Sequence, residues 1–230
     1  MAIQTSAVSR IYNDVELNAT FSRYDELLSQ QFDDWETVDL CVLSIQESIL
    51  NLQKYFSETI FTASIKKQLN DNSYNLVSLY KSRFSQFKTV VLHRGQSIPL
   101  HDHPNASGFT LVLQGAILLD QFTAVPGSNS DFVGLINYKT QHLVANTFSM
   151  FLPVISNVHQ IKALENVVLL SYQYSGDGLQ PSRHLHVIDT DKQGVPQLAR
   201  IFQQNKLKAL KQMVTLMILK NGSQALIRSL

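Results

Sequence analysis

From Tyr74 to Ile188 the chain is a succession of short runs rich in Val, Leu, Phe and Tyr, each cut by Gly, Pro, Asn or Asp. Runs of this length and composition read as successive β-strands rather than helices. The expected strands are Asn75 to Lys81, Phe87 to His93, Phe109 to Leu113, Ala116 to Phe122, His142 to Asn146, His159 to Leu164, Val167 to Tyr174 and His184 to Ile188. So many short strands suit a barrel or a jelly roll, and the fold is expected to be mainly β. Pro126 to Asp131, with Gly127, Ser128 and Asn129, is expected to form a surface loop.

The flanks have a different period. Tyr24, Leu27 and Leu28 fit an amphipathic turn, and Val38, Val42, Ile45, Ile49, Leu52 and Tyr55 recur at helical spacing between Thr37 and Phe56. Asp33, Asp34 and Glu36 suit the start of that helix, where the backbone dipole favours negative charge. A shorter helix from Ser57 to Leu69 ends at Asn70-Asp71-Asn72. After Asp189 the helical period returns, with Pro196 in a first-turn position and Leu207, Leu210, Met213, Val214, Met217 and Ile218 on one face, ending at Asn221-Gly222. The expected organisation is an N-terminal helical segment over 1–72, a barrel over 73–190, and C-terminal helices over 191–230 that cover the barrel or join a second subunit in a homodimer.

Charge narrows the possible partners. Nineteen Lys and Arg residues stand against 18 Asp and Glu, so no net field gathers nucleic acid or an anionic membrane. Apolar runs such as Val167 to Leu170 are too short to cross a bilayer, and the N-terminus lacks the basic and apolar pattern of a secretory signal. Cys41 is the only cysteine, which excludes an intrachain disulfide and a thiolate metal cage. A cytoplasmic location is expected.

His101-Asp102-His103 falls between two expected strands, and an i, i+2 spacing on extended backbone sends both imidazoles to one side. Two such donors suit Fe, Zn, Cu or Ni, and a third from a distant strand would leave positions open for chemistry. His184 and His186 form a second pair of the same kind without an obvious third donor, so His184 is expected to line a pocket. Arg183 is expected in a structural or substrate-carboxylate contact. Arg83 and Arg94 are alternative anion clamps, because a guanidinium offers a two-pronged fork to carboxylate, although Arg94 reads equally well as a solvated charge. His93 and His142 carry no motif.

Gly95, separated from His101 by five residues, and Gly115 after the next strand complete a G-x5-H-x-H layout that resembles the first cupin motif. Gly108 stands where many cupins place a glutamate ligand. His159, in Pro153 to Gln160, matches the histidine of the second cupin motif, so the resemblance implies a His101, His103, His159 ligand set. Three neutral imidazoles leave a metal's charge uncompensated, which favours an anionic co-ligand such as a thiolate. Further, Gly95-Gln96-Ser97-Ile98-Pro99-Leu100-His101-Asp102-His103-Pro104 and Asn157-Val158-His159-Gln160-Ile161-Lys162-Ala163 resemble segments of the thiol dioxygenases, in the branch of cysteamine dioxygenase and the plant cysteine oxidases. Ser182-Arg183-His184-Leu185-His186 falls on a third segment of that branch. The resemblance spans about 74 to 190. It implies a cupin jelly-roll barrel, Fe(II) as cofactor, O2 as co-substrate, and oxidation of a small aminothiol or a peptide N-terminal cysteine to a sulfinate. Cysteine dioxygenase is a more distant likeness, and Gly108 in place of its cross-linking cysteine implies no thioether cofactor.

The likeness weakens behind the ligands. Ser171 takes the place of the branch's aspartate, and Tyr172 and Tyr174 fall in the strand where cysteine dioxygenases keep a Ser-His-Tyr relay, which makes these three the candidate catalytic residues. Tyr74 and Tyr80 lie where cysteine dioxygenases keep a tyrosine, and Tyr80 is a candidate substrate contact. Leu76 replaces the carboxylate-binding arginine. Two alternatives stay open: a three-histidine iron oxygenase acting on a non-thiol or natural-product substrate, and a non-catalytic cupin that senses a metal or ligand.

Overall fold

The computed structural model describes residues 8–11, 15–33, 47–52, 75–126, 131–153 and 155–202. In chain order the elements are β1 (Val8–Ile11), α1 (Val15–Asp33), β2 (Asn75–Lys81), β3 (Ser85–Leu92), β4 (Ser97–Asp102), β5 (Ser107–Gln114) and β6 (Ala116–Pro126). There follow β7 (Phe132–Val144), β8 (Phe148–Phe151), β9 (Val158–Ala163), β10 (Val167–Tyr174), β11 (Arg183–Thr190) and β12 (Pro196–Phe202). Residues 47–52 add a short helical segment. Strands β11, β12, β7, β6, β9 and β4 close into a barrel, and β1, β2, β3, β10, β5 and β8 form a six-stranded sheet beside it. The fold is mainly β, with a barrel at its centre, as expected.

Side-chain alternation explains how the sheet serves two cores at once. Along β10, Val167 and Leu169 point to the barrel side, where they pack with Ile117, Leu119 and Ile161 of β6 and β9. Leu170 and Tyr172 point the other way, into a cluster with Phe87, Phe109 and the helix residues Phe21, Leu28 and Phe32. Phe21, Leu28 and Phe32 recur at helical spacing and are all buried, so they form the inward stripe of α1. Ile49 and Leu52 complete that cluster. Helix, sheet and barrel therefore stack as three layers.

Gly115 makes the tight β5–β6 connection possible. Its φ is +81°, and a Cβ there would meet the Asn166 carbonyl oxygen at 2.3 Å.

Several segments differ from expectation. Residues 8–11, expected as helix, form a strand parallel to β2. Pro196 begins strand β12 rather than a helix, pairing with β11 and β7, and a proline at the first position of a strand removes little from the ladder. Strand β7 runs for 13 residues, of which only the end was expected, and β4 and β8 are further strands. The expected helices over 57–69 and 207–218 lie outside the described residues, as does most of the one over 37–56. Among the described residues no helix is long and apolar enough to cross a membrane.

Candidate metal centre

Strand pairing assembles the centre. His101 of β4 lies directly opposite His159 of β9, and directly opposed residues on neighbouring strands project from the same face. His103, two residues on from His101, joins them just past the end of β4. The row extends to Gln121 of β6, opposite His159, and to His184 of β11, opposite His101.

All three imidazoles are buried, with ring centroids 4.5, 4.8 and 4.9 Å apart. Their Nε2 atoms converge: that of His159 is 3.1 Å from His101 Nε2 and 3.2 Å from His103 Nε2. Nitrogens held about 2.0–2.1 Å from one ion, at angles between square and tetrahedral, lie roughly 2.9–3.4 Å from one another. The spacing fits a single ion.

The tautomer of His101 supports the same use. His101 Nδ1 is 2.8 Å from the Pro99 carbonyl oxygen, which can only accept, so the proton sits on Nδ1 and Nε2 keeps its lone pair. His103 Nδ1 lies 3.1 Å from Ser182 Oγ, which can donate or accept, and 2.9 Å from Gln173 Nε2, which donates. Burial pushes His101 down to about 4, and burial followed by the neighbouring imidazoles holds His103 and His159 well below the usual histidine range. Neutral imidazole is the form that binds a metal. The three histidines could thus hold a metal ion, and no second cluster of this kind occurs among the described residues.

Gly108 and Phe151 close one side of the triad. Phe151 is opposite Gly108 on β8, and its ring stacks on His103 at 4.7 Å. A Cβ on Gly108 would meet the Tyr172 carbonyl oxygen at 2.1 Å and Phe151 Cζ at 2.6 Å. The space that a carboxylate side chain at position 108 would need is therefore filled by an aromatic ring.

The other expected site residues divide. Ser171 is on the barrel-facing side of the sheet, between Lys88 of β3 and Thr110 of β5, on the same face as Gln173. His184 is half-buried beside His101, with centroids 6.4 Å apart. Tyr172 and Tyr174 lie on the opposite face of β10 and are not brought to the triad, because period-2 alternation turns them toward α1. The Tyr172 hydroxyl donates to Asp25 of α1 at 2.8 Å, and burial together with the Asp25 charge raises its pKa, which keeps the phenol protonated. Tyr80 packs in the same helix-side cluster, raised by burial. Arg83 is exposed, its guanidinium over the Phe84 ring at 5.1 Å. Arg183 spends its fork on Asp102: Nε donates to Oδ2 at 2.9 Å and the backbone NH to Oδ1 at 3.1 Å. This ties β11 to β4 where the barrel closes.

Lys88, Thr110, Gln121, Phe151, Gln173 and Ser182 were not singled out in the sequence. Lys88 had one legible signal, as the charged member of an inward face otherwise made of Gln86, Val90 and Leu92.

No family model matches the sequence, and no curated protein matches it. Among solved structures, the chain is similar to a cupin superfamily protein of Desulfitobacterium hafniense, at 15% identity and TM-score 0.36, over 46% of this chain and 81% of that one. An RmlC-like cupin of Desulfovibrio desulfuricans aligns at 15% identity and TM-score 0.33, over 46% of this chain and 86% of the other. The Bacillus subtilis oxalate decarboxylase, described with Mn(II) centres, aligns at 16% identity and TM-score 0.34, over 45% of this chain and 24% of that one. Likenesses of this size bear on neither activity nor ligand.

Proposed function

We propose that the chain is an Fe(II)- and O2-dependent dioxygenase that converts a thiol, whether a small molecule or the N-terminal cysteine of a peptide, to a sulfinate. The observation that carries this reading is the donor set of three buried neutral imidazoles with converging Nε2 atoms and no carboxylate among them. Such a set leaves the charge of a divalent ion uncompensated and draws an anionic ligand such as a thiolate. The resemblance of 95–104 and 157–163 to thiol dioxygenases supports iron and sulfur chemistry. When bound, Fe(II) supplies open coordination positions and the redox chemistry that joins O2 to sulfur. The reaction balances without an external reductant, because both oxygen atoms end on the sulfur of one thiol.

The chain's own residues orient and enclose. Pro99 fixes the ring tautomer of His101, Ser182 and Gln173 hold the His103 ring in place, and the Phe151 ring excludes water from one side of His103. His184 stands beside His101, in position to take up the proton that a thiol releases on binding. Cys41 as the only cysteine fits a reducing compartment, and the cytoplasm is part of this proposal.

The oxygenase with a non-thiol substrate is the second reading, favoured by one observation: Tyr172 and Tyr174 both face α1, and Gln173 stands next to His103 instead. Mass spectrometry of products from an aerobic thiol panel over Fe(II)-loaded protein separates the two. A product heavier by two oxygen atoms, with matching O2 uptake, is expected. A full panel without O2 uptake would exclude the thiol reading.

A further inference from the structure

The barrel-facing side of the sheet changes character along β10. At Leu169 the cross-strand neighbours are Val90 and Val112; at Ser171 they are Lys88 and Thr110; at Gln173 they are Gln86 and Gly108. Directly opposed residues share a face, and Val90, Leu92, Val112 and Leu169 all belong to the barrel-side core, so Lys88, Ser171 and Thr110 project inward too. Gln173 marks the level of the triad, since its carboxamide is 2.9 Å from His103 Nδ1. Ser171 and Lys88 lie one same-face step from it, about 7 Å along the strand. A lysine stem covers most of that distance.

Among the described residues this lysine has no counter-ion. Among the described residues the one ion pair is Arg183–Asp102, and no hydrogen bond to the Lys88 ammonium is found. Asp102, between His101 and His103 in the chain, is engaged with Arg183. Lys88 is half-buried, the neighbouring charge that acts on it is the cation Lys81, and its own charge is felt at both His101 and His103. Burying an ammonium without an anion is costly, so a site that keeps one there is built to receive an anion.

We propose that Lys88, flanked by the hydroxyls of Ser171 and Thr110, seats an anionic group of the substrate one step from the three-histidine centre. Resting on the thiol reading above, this makes the substrate a thiol that carries a carboxylate, and disfavours an aminothiol whose ammonium would face both Lys88 and the metal. The carboxylate would accept from the ammonium and the two hydroxyls while the sulfur reached the histidine centre.

The test is binding, not turnover. Co(II)-loaded protein is titrated anaerobically with 3-mercaptopropionate, cysteamine and malonate, following the visible absorption of the metal, in the wild type and in Lys88→Met and Lys88→Arg; Co(II) content is measured in each. The expected result is at least tenfold tighter binding of 3-mercaptopropionate than of cysteamine, lost in Lys88→Met at unchanged Co(II) content and largely kept in Lys88→Arg. If neither thiol alters the spectrum but malonate binds and Lys88→Met weakens it tenfold, the anion seat stands and the thiol reading fails. Equal affinity of the wild type and Lys88→Met for both carboxylates, or cysteamine binding as tightly as 3-mercaptopropionate, would overturn the proposal.

Discussion

Gly108 is the residue at which one added carbon has the largest consequence. Its missing side chain admits the Phe151 ring against His103 and keeps clear of the Tyr172 carbonyl. Gly108→Ala should destabilise the protein by about 1–3 kcal/mol, because overpacking of a dense core forces the backbone to shift. Urea denaturation measures this as a lower midpoint. The histidines make a second prediction. In the apoprotein, burial places the folded-state pKa of His101 at about 4, below its unfolded value of roughly 6.5. The unfolded chain therefore takes up the proton first as pH falls, so stability is complete above pH 6.5 and declines toward pH 4. At pH 5 His101 alone should cost about 2 kcal/mol, with His103 and His159 adding in the same direction. Urea unfolding of the apoprotein at pH 7.5 and pH 5 reads the difference, and equal stability at the two values would contradict the buried neutral triad.

At the scale of the element, β10 joins the two cores. Its inward face carries Ser171 and Gln173, and its outward face ties the sheet to α1 through Tyr172 and Asp25. Tyr172→Phe should therefore cost about 1–2 kcal/mol by removing one hydrogen-bond donor from Asp25. Metal content and turnover should stay at wild-type level; a loss of turnover in a folded, metal-loaded variant would restore Tyr172 to the reaction. The bounds of β10 were legible from the apolar run Val167 to Leu170 and the strand-forming Tyr172 and Tyr174 after it, and its alternation separated the tyrosines from Ser171. Which of the two faces lay inward was not legible, because both are largely apolar and the choice is made by the stripe of Phe21, Leu28 and Phe32 far away in the chain. Strand β12 was hidden for a related reason: Pro196 suits the first position of a helix or of a strand, and pairing with β7 and β11 decides between them.

Across the whole molecule, the apolar core on the barrel side is held by side chains from six strands, β3, β5, β6, β7, β9 and β10, and the three histidines sit toward its polar end. The mainly β fold was readable because strand length and turn residues are local properties. The histidine pair was readable because its spacing on one strand already places both rings together. The surroundings of the triad were not: Lys88, Thr110 and Ser171 come from three strands that are distant in sequence, and only the ladder β3–β10–β5 sets them side by side. Everything chemical in this account depends on His101, His103 and His159 holding one ion. Anaerobic reconstitution of the wild type and His159→Ala with Fe(II), followed by removal of loose iron and elemental analysis, tests that directly. One iron per chain in the wild type and none above background in the variant is expected; equal iron in the two proteins would contradict the account.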